Sequence, residues 1–181
     1  MAAGPVREGL CPAKIPTAVL PSCVPRGRHS DLFVRLRLVL RSRTIMAYAI
    51  KAEIIDPRAR RFTFTAQKTM YGGKLIAQGD TIFVFASENE GGQGLIARGI
   101  VTHAEAIRKK RGIPRQTPRV SVTIKRTALA KRPMGRRELK HLTDWSDGRP
   151  GTELNFKFYR QATNKIVGIS DKAASFLSKC F

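Results

Sequence analysis

The chain has 181 residues, with 34 Lys and Arg against 13 Asp and Glu, a net charge of +21 and a hydrophobic content of 42%. That length and apolar content suffice for one domain with a real core. The charge favours a polyanionic partner, nucleic acid first and an acidic membrane surface second. No apolar run reaches the roughly 18 to 20 residues that span a bilayer as a helix; the longest suspect, Leu32 to Leu40, is broken by Arg35 and Arg37. Cys11, Cys23 and Cys180 are widely spaced and form no CxxC pair. This argues against a disulfide framework or a zinc site and for a reducing, cytoplasmic setting.

Residues 1–45 stand apart in composition. Pro5, Pro12, Pro16, Pro21 and Pro25 recur too often for helix or central strand. The segment also holds eight basic residues against Glu8 and Asp31, so most of the positive charge lies in the remaining chain. Met46-Ala-Tyr-Ala-Ile resembles a protein beginning. Residues 1–45 are expected to be an unstructured basic extension or a mis-assigned start; an Arg-rich targeting presequence is the rival reading. The folded domain is expected over residues 46–181.

In chain order, Ala47 to Ile55 reads as a first strand stopped by Asp56-Pro57. Phe62 and Phe64 alternate in a second strand. Ala66 to Ala77 reads as weak helix or loop, because of Gly72-Gly73. Ile82-Phe-Val-Phe85 has the composition of a buried strand. A glycine-bearing turn over residues 87–94 and a second apolar run, Leu95 to Val101, complete an antiparallel hairpin. The turn carries Ser87, Asn89 and Gln93, which can donate and accept hydrogen bonds to the edge of a planar ligand, or simply form a solvated tip. Ala104 to Arg111 reads as a helix capped by Gly112. Pro118 to Thr127 alternates cleanly, with Val120, Val122 and Ile124 on one face, as a half-buried strand does. Gly135 to Leu142 reads as a short basic helix, residues 144–151 as a loop, and Leu154 to Ala162 as strand or helix. Ile166 to Ile169 makes a last strand, and Ser170 caps a closing helix from Asp171. Short, mostly antiparallel strands with helices between them predict an α+β fold, a small β-barrel with peripheral helices.

Gly79-Asp80, the Ile82–Phe85 strand, Ser87, Asn89 and then Gly94-Leu-Ile-Ala-Arg-Gly-Ile-Val resemble the signature of the PUA-like superfamily. The nearest likeness is to EVE domains and their YTH relatives. The resemblance implies a pseudobarrel with a nucleobase pocket, often for a modified base, beside a basic surface. It places Ser87 and Asn89 at a strand end facing that pocket. The chain departs from EVE domains in having Ala47-Tyr48 where a tryptophan is usual.

Other candidates come from residue chemistry. Tyr48 offers a stacking face or a core ring, and Trp145, in a polar loop, a base-stacking platform or a packed lid. Tyr159 and Arg160 suit a stack and a phosphate clamp. Two basic clusters suit phosphate contact: Arg108, Lys109, Lys110 and Arg111 with Arg115 and Arg119, then Lys125 and Arg126 with Lys131-Arg132 and Arg136 and Arg137. The histidines are scattered, and no nucleophile elbow, phosphate loop or metal-binding spacing is present. The expectation is a non-catalytic nucleic-acid-binding module without cofactor or metal. The alternatives are a structural basic protein of ribosome or nucleoid and, more remotely, a metal nuclease using Glu88, Glu90 and His103.

Overall fold

In the computed structural model, which describes residues 47–160 and 164–181, six strands close into a barrel. They are β1 (Ala47–Ala52), β2 (Arg61–Met70), β3 (Thr81–Ala86), β4 (Gly94–Ile107), β5 (Arg119–Leu129) and β6 (Lys165–Ile169). Their order around the barrel is β1-β3-β4-β5-β2-β6. Two pairings, β1 with β3 and β2 with β6, are parallel; the other four are antiparallel. The helices are α1 (Arg136–Leu139), α2 (Pro150–Asn155), continued by a π-turn over Phe156–Arg160, and α3 (Asp171–Ser178). The expectations for residues 1–45 and for Met46 lie outside the described residues.

Alternation along each strand sorts side chains into two cores. Tyr48, Ile50, Phe62, Phe64, Ile82, Val84, Val122 and Ile124 fill the barrel interior. Ala47, Ala49, Phe83, Phe85 and Val167 point outward and pack against Leu139, Leu154, Phe158 and Leu177 of the helices. Strands buried on both faces lose the apolar–polar alternation, which explains the unbroken Ile82–Phe85 run. β5 is covered on one face only and keeps it.

Three expectations are corrected. Ala104 to Arg111 is not a helix: β4 continues to Ile107, with Ala104 opposite Val122 and Ala106 opposite Val120. Cross-strand pairing outweighs a weak local helix preference there. Gly112, at φ +81°, is then a turn glycine, not a helix cap. β2 likewise runs through residues 66–70, past a bulge at Ala66 where φ is +50°, and only Gly73–Leu75 form a helical turn. Residues 154–160 prove helical. The closing helix starts as its sequence demands, Ser170 Oγ accepting the Ala173 N–H at 3.1 Å.

Candidate functional site

The parallel register of β1 and β3 sets Lys51 opposite Phe85 and Ala52 opposite Ala86. The chain leaves β3 with the Ser87 N–H donating to the Ala52 carbonyl at 2.8 Å and enters a tight turn over Glu88–Glu90. Ser87 is therefore buried, its carbonyl accepting from the N–H groups of Glu90 and Gly92. Its role is to shape the turn. Asn89, in the same turn, is exposed to solvent.

The residue between them points inward. The Glu88 carboxylate lies 2.7 Å from Lys51 Nζ, accepts from Tyr159 Oη at 2.5 Å, and accepts the Arg136 N–H at 2.9 Å. Lys51 is only 3% exposed, and its ammonium also sits 4.0 Å from the centre of the Tyr159 ring. Burial pushes the Glu88 carboxyl up, but the bonds from Lys51, Tyr159 and Arg136 outweigh it and hold the group below the usual carboxylate range. Burial first, and then the hydrogen bond to Glu88 and its charge, push the Tyr159 phenol well up, so it stays a donor. Two hydrogen bonds on one oxygen and an ion pair on the other make the carboxylate a fixed anchor for the turn.

That anchor ties the hairpin to the segment before α1. Gly94, at φ +79°, bridges to Met134, and a Cβ there would lie 2.4 Å from the Met134 carbonyl oxygen. A Cβ on Gly135 would lie 2.9 Å from Glu88 Oε1. Only glycine fits at position 94, and a side chain at 135 would press on the Glu88 carboxylate.

The junction opens on two clefts. One, of about 600 Å³, is lined by Glu88, Gln93, Pro133, Arg136, Arg137 and Lys140 among others. The second, of about 500 Å³, is lined by Arg58, Gln93, Leu129, Lys131, Arg132 and Pro133 among others. Gln93 and Pro133 line both, so the two form one groove carrying Arg58, Lys131, Arg132, Arg136, Arg137 and Lys140. Its acids, Glu88 and Glu138, already have partners; Glu138 accepts from the Gly135 N–H at 2.8 Å and Arg137 Nε at 3.2 Å.

The expected site residues therefore divide. Arg136 and Arg137 line the groove. Arg126 donates to the Arg58 carbonyl at the groove's edge. Arg119 and Lys125 lie on the outer face of β5, opposite Lys68 and Arg61. Arg108, Lys109, Lys110, Arg111 and Arg115 occupy the exposed β4–β5 connection. Arg160 stacks 4.9 Å over the ring of Trp145, which itself meets Phe156 edge-on. Tyr48 is fully buried inside the barrel and presents no stacking face. The barrel interior is filled by side chains, so any opening beside the hairpin lies outside its wall. Sequence reasoning missed Lys51 and the inward role of Glu88. A lysine inside an otherwise apolar strand was the available signal.

Among the described residues no three His, Cys, Asp or Glu side chains come together as a metal site requires. No helix among them is long and apolar enough to cross a membrane.

No protein-family model matches the chain, and no curated protein does. Solved structures do. The human THYN1 protein, in complex with DNA containing 5-methylcytosine, superposes with a TM-score of 0.51 at 13% identity, over 74% of this chain and 96% of that one. A hypothetical protein from Leishmania major gives 0.51 at 12% identity, over 77% and 96%. Identities this low establish the fold alone. The chain shares the fold of these structures, here a closed six-stranded barrel with peripheral helices.

Proposed function

We propose that this domain is a non-catalytic nucleic-acid-binding module whose backbone-contacting surface is the groove from Arg58 to Lys140. The observation that carries the reading is the groove's charge balance. Six cations line it; Glu88 is neutralised by Lys51, and Glu138 pairs with Arg137, one of the six, which leaves a clear positive excess. Cations so placed suit phosphates, which position a nucleic acid without specifying its sequence.

The outer sheet face supports the same reading. Lys125 stands directly opposite Arg61, and Arg119 opposite Lys68. Like charges across a strand pair cost stability, and a polyanion laid over them removes that repulsion. The shared fold with a protein solved on methylated DNA is a further support. In this reading a base is admitted beside the hairpin at the Glu88–Gln93 end of the groove, outside the barrel wall.

The test is a fluorescence-anisotropy titration of labelled single- and double-stranded DNA and RNA, with and without a modified cytosine, over a range of salt. The reading expects saturable binding with a log–log salt slope of roughly −4 to −6 for about six phosphate contacts. Binding without salt dependence, or cleavage of the oligonucleotide, overturns it. Co-sedimentation with ribosomal particles, together with no affinity for free oligonucleotides, would favour a structural ribosomal role instead.

A further inference from the structure

We propose that Trp145, Phe156 and Tyr71 form a second site, a stacking strip for unpaired nucleotides separate from the basic groove; the inference rests on the nucleic-acid reading above. The residues come from the α1–α2 loop, the π-turn and the end of β2. Phe156 is the link, its ring centre 5.3 Å from Trp145 and 6.2 Å from Tyr71. The outer two rings are each 40% exposed, so part of each ring stays open to solvent. Cations border the strip: Arg160 lies 4.9 Å from the Trp145 ring centre and Lys157 Nζ 5.3 Å from that of Tyr71.

Beside Trp145 and Phe156 lies a cleft of about 270 Å³. That is at the small end for ligand pockets and suits one ring system. Its polar lining decides which part of a nucleotide enters. Asp147 accepts from the Arg149 N–H and Thr152 Oγ1, and Glu153 from Lys157 Nζ and the Ser170 N–H and hydroxyl. Both carboxylates are ion-paired, Asp147 with Arg149 and Glu153 with Lys157. The cleft interior is therefore polar without an uncompensated positive charge to draw in a phosphate, and it admits a base. The phosphates stay at the rim with Arg160 and with Arg149, whose side chain is 71% exposed.

Bases in a duplex have their faces covered by their neighbours, whereas single strands and loops offer them to aromatic side chains. The occupant is therefore single-stranded. Acidic groups beside aromatic rings also suit a cationic peptide. However, Arg160 and Lys157 already stand over Trp145 and Tyr71, in a chain of net charge +21. A further cation is repelled and a polyanion is not.

Trp145 is the chain's single tryptophan, so its emission reports on this site alone. The test titrates the full chain with short oligothymidine, oligouridine and a duplex of equal length, following tryptophan emission and the anisotropy of labelled strands in parallel. The expected result is quenching by single strands but not by duplex. Trp145→Ala is expected to weaken single-strand binding about 5- to 150-fold, with duplex binding unchanged within about twofold and with Trp145→Phe restoring most of the loss. If single strands bind by anisotropy while emission and the Trp145→Ala affinity stay unchanged, the strip is refuted and the groove stands. If no oligonucleotide binds, both fail. An emission change with a trimethyl-lysine peptide but not with oligonucleotides also refutes the strip. Should Trp145→Ala unfold, the wild-type emission decides.

Discussion

Lys51 and Glu88, on a strand and in a turn 37 positions further along, meet as a 2.7 Å ion pair that is 97% hidden from water on the lysine side. Removing one member of such a pair leaves the other charge with poorer company than water would give it. Lys51→Met, which keeps the aliphatic stem, is expected to cost about 3 kcal/mol in urea unfolding. Glu88→Gln should also destabilise, and the double variant should cost less than the two singles added together. Additive losses would show that the two residues are not coupled.

The same carboxylate gives the fold an acid limit. Glu88 and Glu153 are both held below their ordinary value of 4.5, against the opposing effect of burial, by bonds from Lys51, Tyr159 and Arg136 and from Lys157 and Ser170. A carboxyl with a depressed folded-state value contributes stability above its unfolded value and loses it as pH falls through the folded one. Urea midpoints should therefore be flat near neutrality and fall below about pH 4.5. Glu88→Gln with Glu153→Gln should flatten that fall, and an unchanged pH profile would remove both groups from the account.

Gly94 tests the hairpin junction. Its φ of +79° is costly for any other residue, and an added methyl would press on the Met134 carbonyl. Gly94→Ala is expected to lose about 3 kcal/mol, the left-handed strain plus the displacement of Met134. Gly112→Ala, also at positive φ but in open space, should lose only about 1 kcal/mol. Thermal melts of the two variants side by side separate strain from crowding.

Parts of this architecture were legible in the chain and parts were not, for identifiable reasons. β3, β5 and α3 carry their own signals: an aromatic and β-branched run, a clean alternation, and a Ser-Asp cap. The end of β4 was unreadable because Ala104 and Ala106 take their structure from Val122 and Val120. The anchor at Glu88 was hidden for the same reason, since only the parallel pairing of β1 with β3 carries Lys51 to it. A family-like Ser-Glu-Asn pattern drew notice to Ser87 and Asn89, yet the geometry gives the inward position to the glutamate between them. Tyr48 shows the limit of residue chemistry: nothing local distinguishes a ring inside the barrel from one at its mouth.

The sheet face offers a trade between stability and binding. Lys125→Glu converts the Lys125–Arg61 repulsion into an attractive cross-strand pair, which should raise stability by about 0.5 kcal/mol. The same change should weaken nucleic-acid binding, most visibly at low salt. A gain in melting temperature with unchanged affinity would remove this face from the binding surface.

The most direct measurement compares salt-dependent oligonucleotide binding by two charge-deleted chains. One carries Arg58→Ala, Lys131→Ala, Arg136→Ala and Lys140→Ala in the groove. The other carries Arg108→Ala, Lys109→Ala, Lys110→Ala and Arg111→Ala in the β4–β5 connection. The groove set is predicted to lose most affinity and to flatten the log–log salt slope by about one unit per lost phosphate contact, with a smaller loss for the connection set. Wild-type binding by the groove set, with binding abolished in the connection set, would contradict the assignment.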